Sequence, residues 1–511
     1  KIGEGVKETG TVGLILLPGD DDSSAPAPIL LIPVTDYTKF IEPLEPENAA
    51  DAVTKLKLLP GDTYVRNIGN YAVMTDEEHR EVLEKSLKLA KDIPAGLAPW
   101  RDWLSGQDAA GIALSPGIKQ FSAKVQEGLA ATKSMLEGGN DQMQKTAAVF
   151  DLYALLFQTA ETEVDAVGFG VQLDKQKTLR LTKRVALTPG GKWAQYAAQV
   201  HAAKDPLLAG LPDEPFVAAG GAALSDSLLS GFMTASAEII KAMPGYYGLN
   251  DEQVAKVAEA TKKSNLHGNQ SMAFLLGVGE ENEPIYAGLA GVVRVDDAQA
   301  YMASYEKFIT EYAALVKEIG SPMLGVFEIE KSDVGGIAGL QITVQMPQPP
   351  DNEQAPQFNA MMETMFGNGG KAVCWIVPAD EHHIVMGYVN QDCVSRMIEV
   401  IKQGKPGLEA NADVAKTMAL LLPDAAAAGY VSLAGAVSFV KRIVATVVPQ
   451  AGISQKIPDF PPTPPIGFSL TTSPNEVQTS AIVPVEVLKA VVPYVNKVQQ
   501  AALTDTPSEA P

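Results

Sequence analysis

A chain of 511 residues exceeds what one ordinary hydrophobic core supports, so two or more domains are expected. Apolar residues make up 46% and charged residues 20%, a composition of folded protein that excludes a disordered chain. The formal charge of −21, from 61 acidic and 40 basic side chains, repels phosphate backbones and anionic lipid, and no basic stripe reverses it locally. Nucleic acid and peripheral membrane surfaces are therefore poor partners for it.

In chain order, runs rich in Val, Ile, Leu and aromatics predict strands at 11–17, 28–34, 63–67, 71–75, 110–114, 165–173 and 178–187. "TDEEHREVLEKSLKLAKD" (75–92) predicts a helix with Val82, Leu83, Leu87 and Leu89 on a broad apolar side, acids early and lysines late. Further on, helices are expected at about 224–243 and 250–264, the second with Asn250 as N-cap and Gln253 three residues later, a capping-box spacing. A strand follows at 270–278. The longest apolar stretch, 425–448, is broken by Gly429, Gly435, Lys441 and Arg442, and reads as a buried strand followed by an amphipathic helix. No stretch reaches the about 18 uninterrupted apolar residues of a transmembrane helix. With no glycine-rich turn opening a parallel βαβ unit, the expected class is α+β: antiparallel sheets with helices packed on one face.

Several segments recur in one order. "GTVGLILLPG" (10–19) resembles "QSMAFLLGVG" (270–279), and each is followed by an acidic turn, 20–24 and 280–283. "ILLIPVTDYTKF" (29–40) parallels "GLAGVVRVDDAQAY" (288–301): an apolar strand ends at Asp36 or Asp297, and an aromatic follows four residues on. "NYAVMTDEEHREVLEKSL" (70–87) parallels "HHIVMGYVNQDCVSRMIEVI" (382–401). "AAGIALSPGIKQF" (109–121) aligns without a gap to "AAGYVSLAGAVSF" (427–439), and "AVGFGVQL" (166–173) pairs with "PIGFSLTT" (465–472). The order predicts a tandem duplication: repeat one over 1–204, repeat two over 205–503 and a disordered tail at 504–511. "PDEPFVAAGGAALSD" (212–226) then opens the second copy, and roughly 60 residues of the first copy are expected upstream of Lys1.

Sites are sparse. Of the histidines, His79 and His201 fall in predicted helices among charged or small residues, where exposed structural roles are expected. His382 and His383, with Asp380, sit at the turn of a predicted hairpin. With Glu381, Cys374 and Cys393 they form the one cluster of metal-ligand side chains, in a spacing that matches no compact zinc pattern. Cys374 and Cys393 flank that hairpin and are candidates for a structural disulfide. The acidic turns at 20–24 and 280–283 lack calcium-loop patterns, and "GNGGKAV" (367–373) has Ala372 where a phosphate loop needs Ser or Thr. No G-x-S-x-G surrounds a serine. The proline-rich 456–468 reads as a rigid extended connection.

On the "LPDEPFVAAGG" opening, the strand-Asp-helix segments "PVTDYTKF" and "RVDDAQAY", and "VDAVGFGVQL", the chain resembles large uncharacterised exported proteins of bacterial envelopes, of the kind frequent in planctomycete-like genomes. The resemblance implies export and carries no catalytic residues. Few cysteines and a polar tail agree with an envelope or extracellular address. The expected role is non-enzymatic, structural or interacting, with self-assembly one form of it and no cofactor. The partners expected are another protein or further copies of the chain. A carrier of an apolar ligand or lipid, and a hydrolase whose site is assembled from distant residues, are the alternatives.

Overall fold

A computed structural model describes residues 4–7, 12–17, 27–59, 62–85, 97–137, 141–175, 178–242, 249–262, 266, 268–280, 283–320, 325–345, 355–447 and 453–503. The expected tail at 504–511, the acidic turn at 20–24, His267 and the end of the 75–92 helix lie outside them. The chain divides into two compact units. Unit 1 comprises Lys1–Ala130, Ala154–Asp174 and Arg180–Thr188, and unit 2 comprises Ala131–Tyr153, Lys175–Leu179 and Pro189–Pro511. Both are α+β, and every pairing named below is antiparallel.

Unit 1 opens with β1 (Gly13–Leu17), β2 (Ala27–Pro33), α1 (Tyr37–Ile41), β3 (Thr54–Leu56), β4 (Thr63–Ile68), β5 (Tyr71–Asp76) and α2 (Arg80–Lys85). The strands form one sheet in the order β1-β2-β5-β4-β3. Period-two alternation in these strands sends Val65, Ala72 and Met74 to a core with Phe40 and Ile41 of α1. Tyr64 and Val73 go to the opposite core with Leu83 of α2. The α1 start is fixed by Asp36, extended at φ −144°, ψ 104°, whose carboxylate accepts from Lys39 N at 3.1 Å. The chain continues through α3 (Arg101–Ser105), β6 (Ala109–Leu114), the helices α4 (Ser115–Glu137) and α5 (Asp141–Glu163), whose far halves belong to unit 2, then β7 (Val164–Leu173) and β8 (Leu179–Leu187). A second arm runs β6-β7-β8, from Ala109 opposite Val171 to Leu114 opposite Ala166 in its first pair. Near the roots of α4 and α5, Gln126 donates to Glu161 at 2.8 Å and Phe121 meets Phe157 edge to face.

From Pro189 onward unit 2 runs through α6 (Lys192–Ala197), β9 (Phe216–Ala223), α7 (Asp226–Ala242), α8 (Asp251–Lys262), β10 (Asn269–Gly277), β11 (Leu289–Val295) and α9 (Ala298–Ile319). Then come β12 (Val326–Val334), β13 (Ile337–Gln345), α10 (Ala355–Phe366), β14 (Lys371–Pro378), β15 (His383–Tyr388), α11 (Asp392–Gln403) and α12 (Ala412–Met418). The last elements are β16 (Ala427–Val431), α13 (Leu433–Val447), α14 (Ile453–Lys456), β17 (Ile466–Ser473), β18 (Glu476–Val483) and α15 (Val485–Leu503). The strand order is β12-β13-β14-β15-β11-β10-β9-β16-β17-β18.

The α8 start carries the expected reciprocal box: Gln253 N donates to Asn250 Oδ1 and Asn250 N to Gln253 Oε1, both at 3.0 Å. At α9, Asp297 repeats the Asp36 geometry, with φ −145°, ψ 107° and a bond from Ala300 N at 3.0 Å.

Helices cover both faces of the β11–β15 region, not one. Val373, Trp375 and Val377 face α11, whereas Ile376 and Ile384 face Ala298, Met302 and Ile309 of α9. The run "AVCWIVP" is apolar at successive positions because both sides of its strand are buried. His201 lies in irregular chain after α6, and His79 precedes α2 with its ring 2.6 Å from Asp76 Oδ1. Neither is helical, contrary to the expectation from sequence.

Candidate functional site: the clasp around strand β9

Strand β9 is the segment that reads as an opening. Its sequence, "FVAAGGAA", has weak β-propensity and owes its place to its neighbours. It pairs along its length with β10 (Phe274 opposite Gly220, Met272 opposite Ala222) and with β16 (Gly429 opposite Gly220, Ala427 opposite Ala222). Small residues are required for close approach. A Cβ on Gly221 would fall inside the van der Waals envelope of the Leu207 carbonyl oxygen. A Cβ on Gly435 of α13 would do the same at the Phe216 carbonyl.

The residues before β9 are tied down one after another. Pro212 bridges to Gly407, and Leu408 N donates to Leu211 O at 2.9 Å. Asn411, the α12 N-cap, donates from Nδ2 to Asp213 Oδ1 at 2.9 Å. Glu214 accepts from Arg396 Nε of α11 at 2.9 Å, and Phe216 and Ala219 enter the main core. Beyond the strand, Asp226 accepts from Gly268 N and Asn269 N at 3.0 and 3.1 Å, holding the start of α7 to the start of β10.

Arg442 of α13 closes the clasp from beneath. Its side chain is 7% exposed, and its guanidinium donates to the carbonyls of Val278, Glu283 and Pro284, the last two at 2.5 Å from Nη2. The turn after β10 is thereby held against the helix that packs on β9. Asn390 donates to Glu283 Oε1 at 3.0 Å from the other side. Asn390 follows Val389, a β-branched residue at φ 73° whose strain, about 1–3 kcal/mol, is carried by the buried turn that aims α11.

The electrostatics fit holding and give no nucleophile. Burial raises the Glu214 carboxyl above the ordinary range, and the Arg396 guanidinium offsets that only in part. Burial also pushes the nearby Cys393 thiol up to about 12, so it stays protonated and inert at neutral pH. Desolvation lowers the pKa of Arg442, which remains a cation held by backbone oxygens.

The candidates from sequence are placed elsewhere. Asp380, His382 and His383 form a local turn: Asp380 Oδ1 accepts from His382 N at 2.8 Å and His383 N at 2.7 Å, and the His383 ring lies 2.9 Å from the same carboxylate. His382 Nδ1 turns away to Asp296 O at 2.9 Å. Burial alone would raise the Asp380 pKa, but these bonds and the His383 ring together hold it below the usual aspartate range. Among the described residues no group of three His, Cys, Asp or Glu side chains is arranged to hold a metal ion.

The expected disulfide is corrected. Cys374 and Cys393 are both free thiols. Cys374 packs on the α9 side of the sheet and Cys393 in the core on its other side, so the sheet itself separates them. Cys374 opposes Tyr388, and burial pushes its thiol up to about 12.

"GNGGKAV" follows α10 and leads into β14, with Gly367, Asn368, Gly369 and Gly370 all at positive φ, the reverse of the strand-to-helix order a phosphate loop needs. The proline-rich segment is a packed connection: Phe460 meets Tyr494 of α15 at 5.0 Å, and Tyr494 donates to Pro458 O at 3.2 Å. A cleft of about 220 Å³ between α8 and α9, lined by Lys256, Glu259, Glu311, Phe308, Tyr312 and Leu315, is mixed in polarity and below the about 300–1,000 Å³ of typical ligand pockets. No helix among the described residues is long and apolar enough to cross a membrane.

Glu214 and Arg396 escaped the sequence reading, and Glu283 and Arg442 entered it only as part of an acidic turn and as a charge in an apolar stretch. Arg442 carried the clearest signal, a guanidinium beside Lys441 within the apolar stretch 425–448. No protein-family model, no curated protein and no solved structure matches the chain.

Proposed function

We propose that the protein is a non-enzymatic structural or interaction protein of the cell envelope or exterior, built from two copies of one α+β unit and acting through association with other polypeptide chains. The observation that carries this reading is a pair of sheet edges in unit 1 that pair with no further strand among the described residues. β1 and β6 each end their arm, and β1 exposes Leu14, Ile15 and Leu16 with no charge or proline to block a further strand.

Support for duplication comes from topology. The order β1-β2-β5-β4-β3 of unit 1 recurs as β10-β11-β15-β14-β13 in unit 2, and β6-β7-β8 recurs as β16-β17-β18. The Asp36 and Asp297 caps fall after the second strand of each, with the same dihedrals within a few degrees. The envelope address rests on the scarcity of cysteine and on the resemblance in sequence.

Native mass spectrometry of the protein isolated from its source tests the proposal. The expected result is a defined assembly in which one chain carries further polypeptide mass, a second copy or another protein. A bare monomer, or a monomer carrying only a few hundred daltons of small molecule, would overturn it.

A further inference from the structure

Glu214 sits where β9, β10 and α11 meet. It stands just before β9, and its Oε2 accepts from Arg396 Nε of α11 at 2.9 Å. Its Oε1 lies against Gly277 at the end of β10, where a Cβ would come within 3.3 Å of it. The next residue, Pro215, accepts from Val278 N at 3.0 Å, and the Val278 carbonyl accepts from Arg442 of α13. The Glu214 side chain is 19% exposed, whereas Arg396, the cation bonded to it, is 45% exposed.

A second carboxylate faces this one. Glu283, in the turn after β10, is held in place by Asn390 Nδ2 at its Oε1 and by Glu280 N at its Oε2, both at 3.0 Å. The remaining groups on the packed elements are the Cys393 thiol of α11, Arg442 of α13, which donates to the Glu283 carbonyl, and Asp213, which accepts from Asn411 at the head of α12. Burial strips water from the Glu214 charge, and a guanidinium that shares its own charge with solvent returns only part of that loss. The fixed Glu283 carboxylate adds repulsion. A neutral acid escapes both costs and still accepts from Arg396.

We infer that Glu214 is a proton-operated latch: in acid it takes a proton from solvent on Oε1, keeps the Arg396 bond on Oε2, and holds the start of β9 more firmly between β10 and α11. The clasp therefore tightens as the pH falls. An exposed ion pair has the opposite sign, since it weakens when its carboxylate is protonated. The sign follows from linkage. Burial first, and Glu283 after it, raise the folded carboxyl above its unfolded value. The stabilisation is thus complete below the unfolded value and is lost as the pH rises through the folded one.

Urea unfolding of the full chain from about pH 8 to about pH 5 tests the latch with Glu214→Gln, which fixes the side chain uncharged and keeps its acceptor oxygen. The variant is expected to have the higher midpoint for unit 2 at the alkaline end, and the difference is expected to close toward acid. An E214Q midpoint at or below that of the wild type at the alkaline end, or a difference that does not change with pH, would overturn the latch. The wild type alone gives a second readout. After correction for intrinsic exchange, protection at the Val278 amide is expected to rise severalfold from the alkaline to the acid end, while that of the β17–β18 ladder does not. Protection at Val278 that falls toward acid would equally overturn it.

Discussion

The Gly221→Ala variant is expected to lose about 3 kcal/mol or more of the stability of unit 2, read as a lower urea midpoint for its unfolding. The added methyl meets a backbone oxygen, Leu207 O, rather than a side chain that can rotate away. Relief therefore requires β9 to shift in register with two ladders at once, against β10 and β16. Gly435→Ala is expected to act in the same direction, because its methyl meets the Phe216 carbonyl from the α13 side. The internal control is Gly111→Ala on β6. No atom lies within 4 Å of that Cβ, so the variant is expected to be neutral or more stable by about 0.5 kcal/mol, since alanine costs less strand entropy than glycine. Equal effects at Gly221 and Gly111 would contradict the close packing of β9.

The second large effect is expected at Arg442. Arg442→Met keeps most of the packing volume but removes the donors of three carbonyls, those of Val278, Glu283 and Pro284. Each buried acceptor left without a donor costs about 1–3 kcal/mol, and some of that is recovered where the turn opens to water. A net loss of about 3 kcal/mol is expected, with faster amide exchange at the start of β9 and the end of β10. Arg442→Lys should fall between, because one ammonium cannot span carbonyls that a planar guanidinium serves together. An unchanged urea midpoint in Arg442→Met would show that the turn after β10 does not depend on the clasp.

The legible parts of the fold are those written in short range. Alternating apolar strands and the Asn250–Gln253 box each depend on residues a few positions apart, and each is found where the sequence places it, whereas the capping role of Asp36 and Asp297 was not read from the sequence. Two-sided burial of β14 was legible in composition, as the unbroken run 372–378, but its consequence for the cysteines was not. Two thiols that bracket a hairpin in sequence lie on opposite faces of the sheet, because Cys374 alternates with Val373 and Trp375. The clasp is the least legible feature. Its bonds join residues far apart in the chain, Arg442 to Val278 and Glu283 or Asn411 to Asp213, and no local period announces them. Glu214 reads as a loop acid in sequence; only the packing of α11 against the start of β9 makes it the partner of Arg396.

The central claim is that β1 and β6 end as sheet edges among the described residues while β9 is paired on both sides, and hydrogen exchange on the intact chain tests it most directly. Amides of β9 are predicted to exchange only through unfolding of unit 2, at the rates of β10 and β16. Amides of β1 and β6 that do not donate to β2 and β7 are predicted to exchange orders of magnitude faster. If β1 and β6 prove as slow as β10 and β16, their edges are already paired and the association reading built on them is wrong.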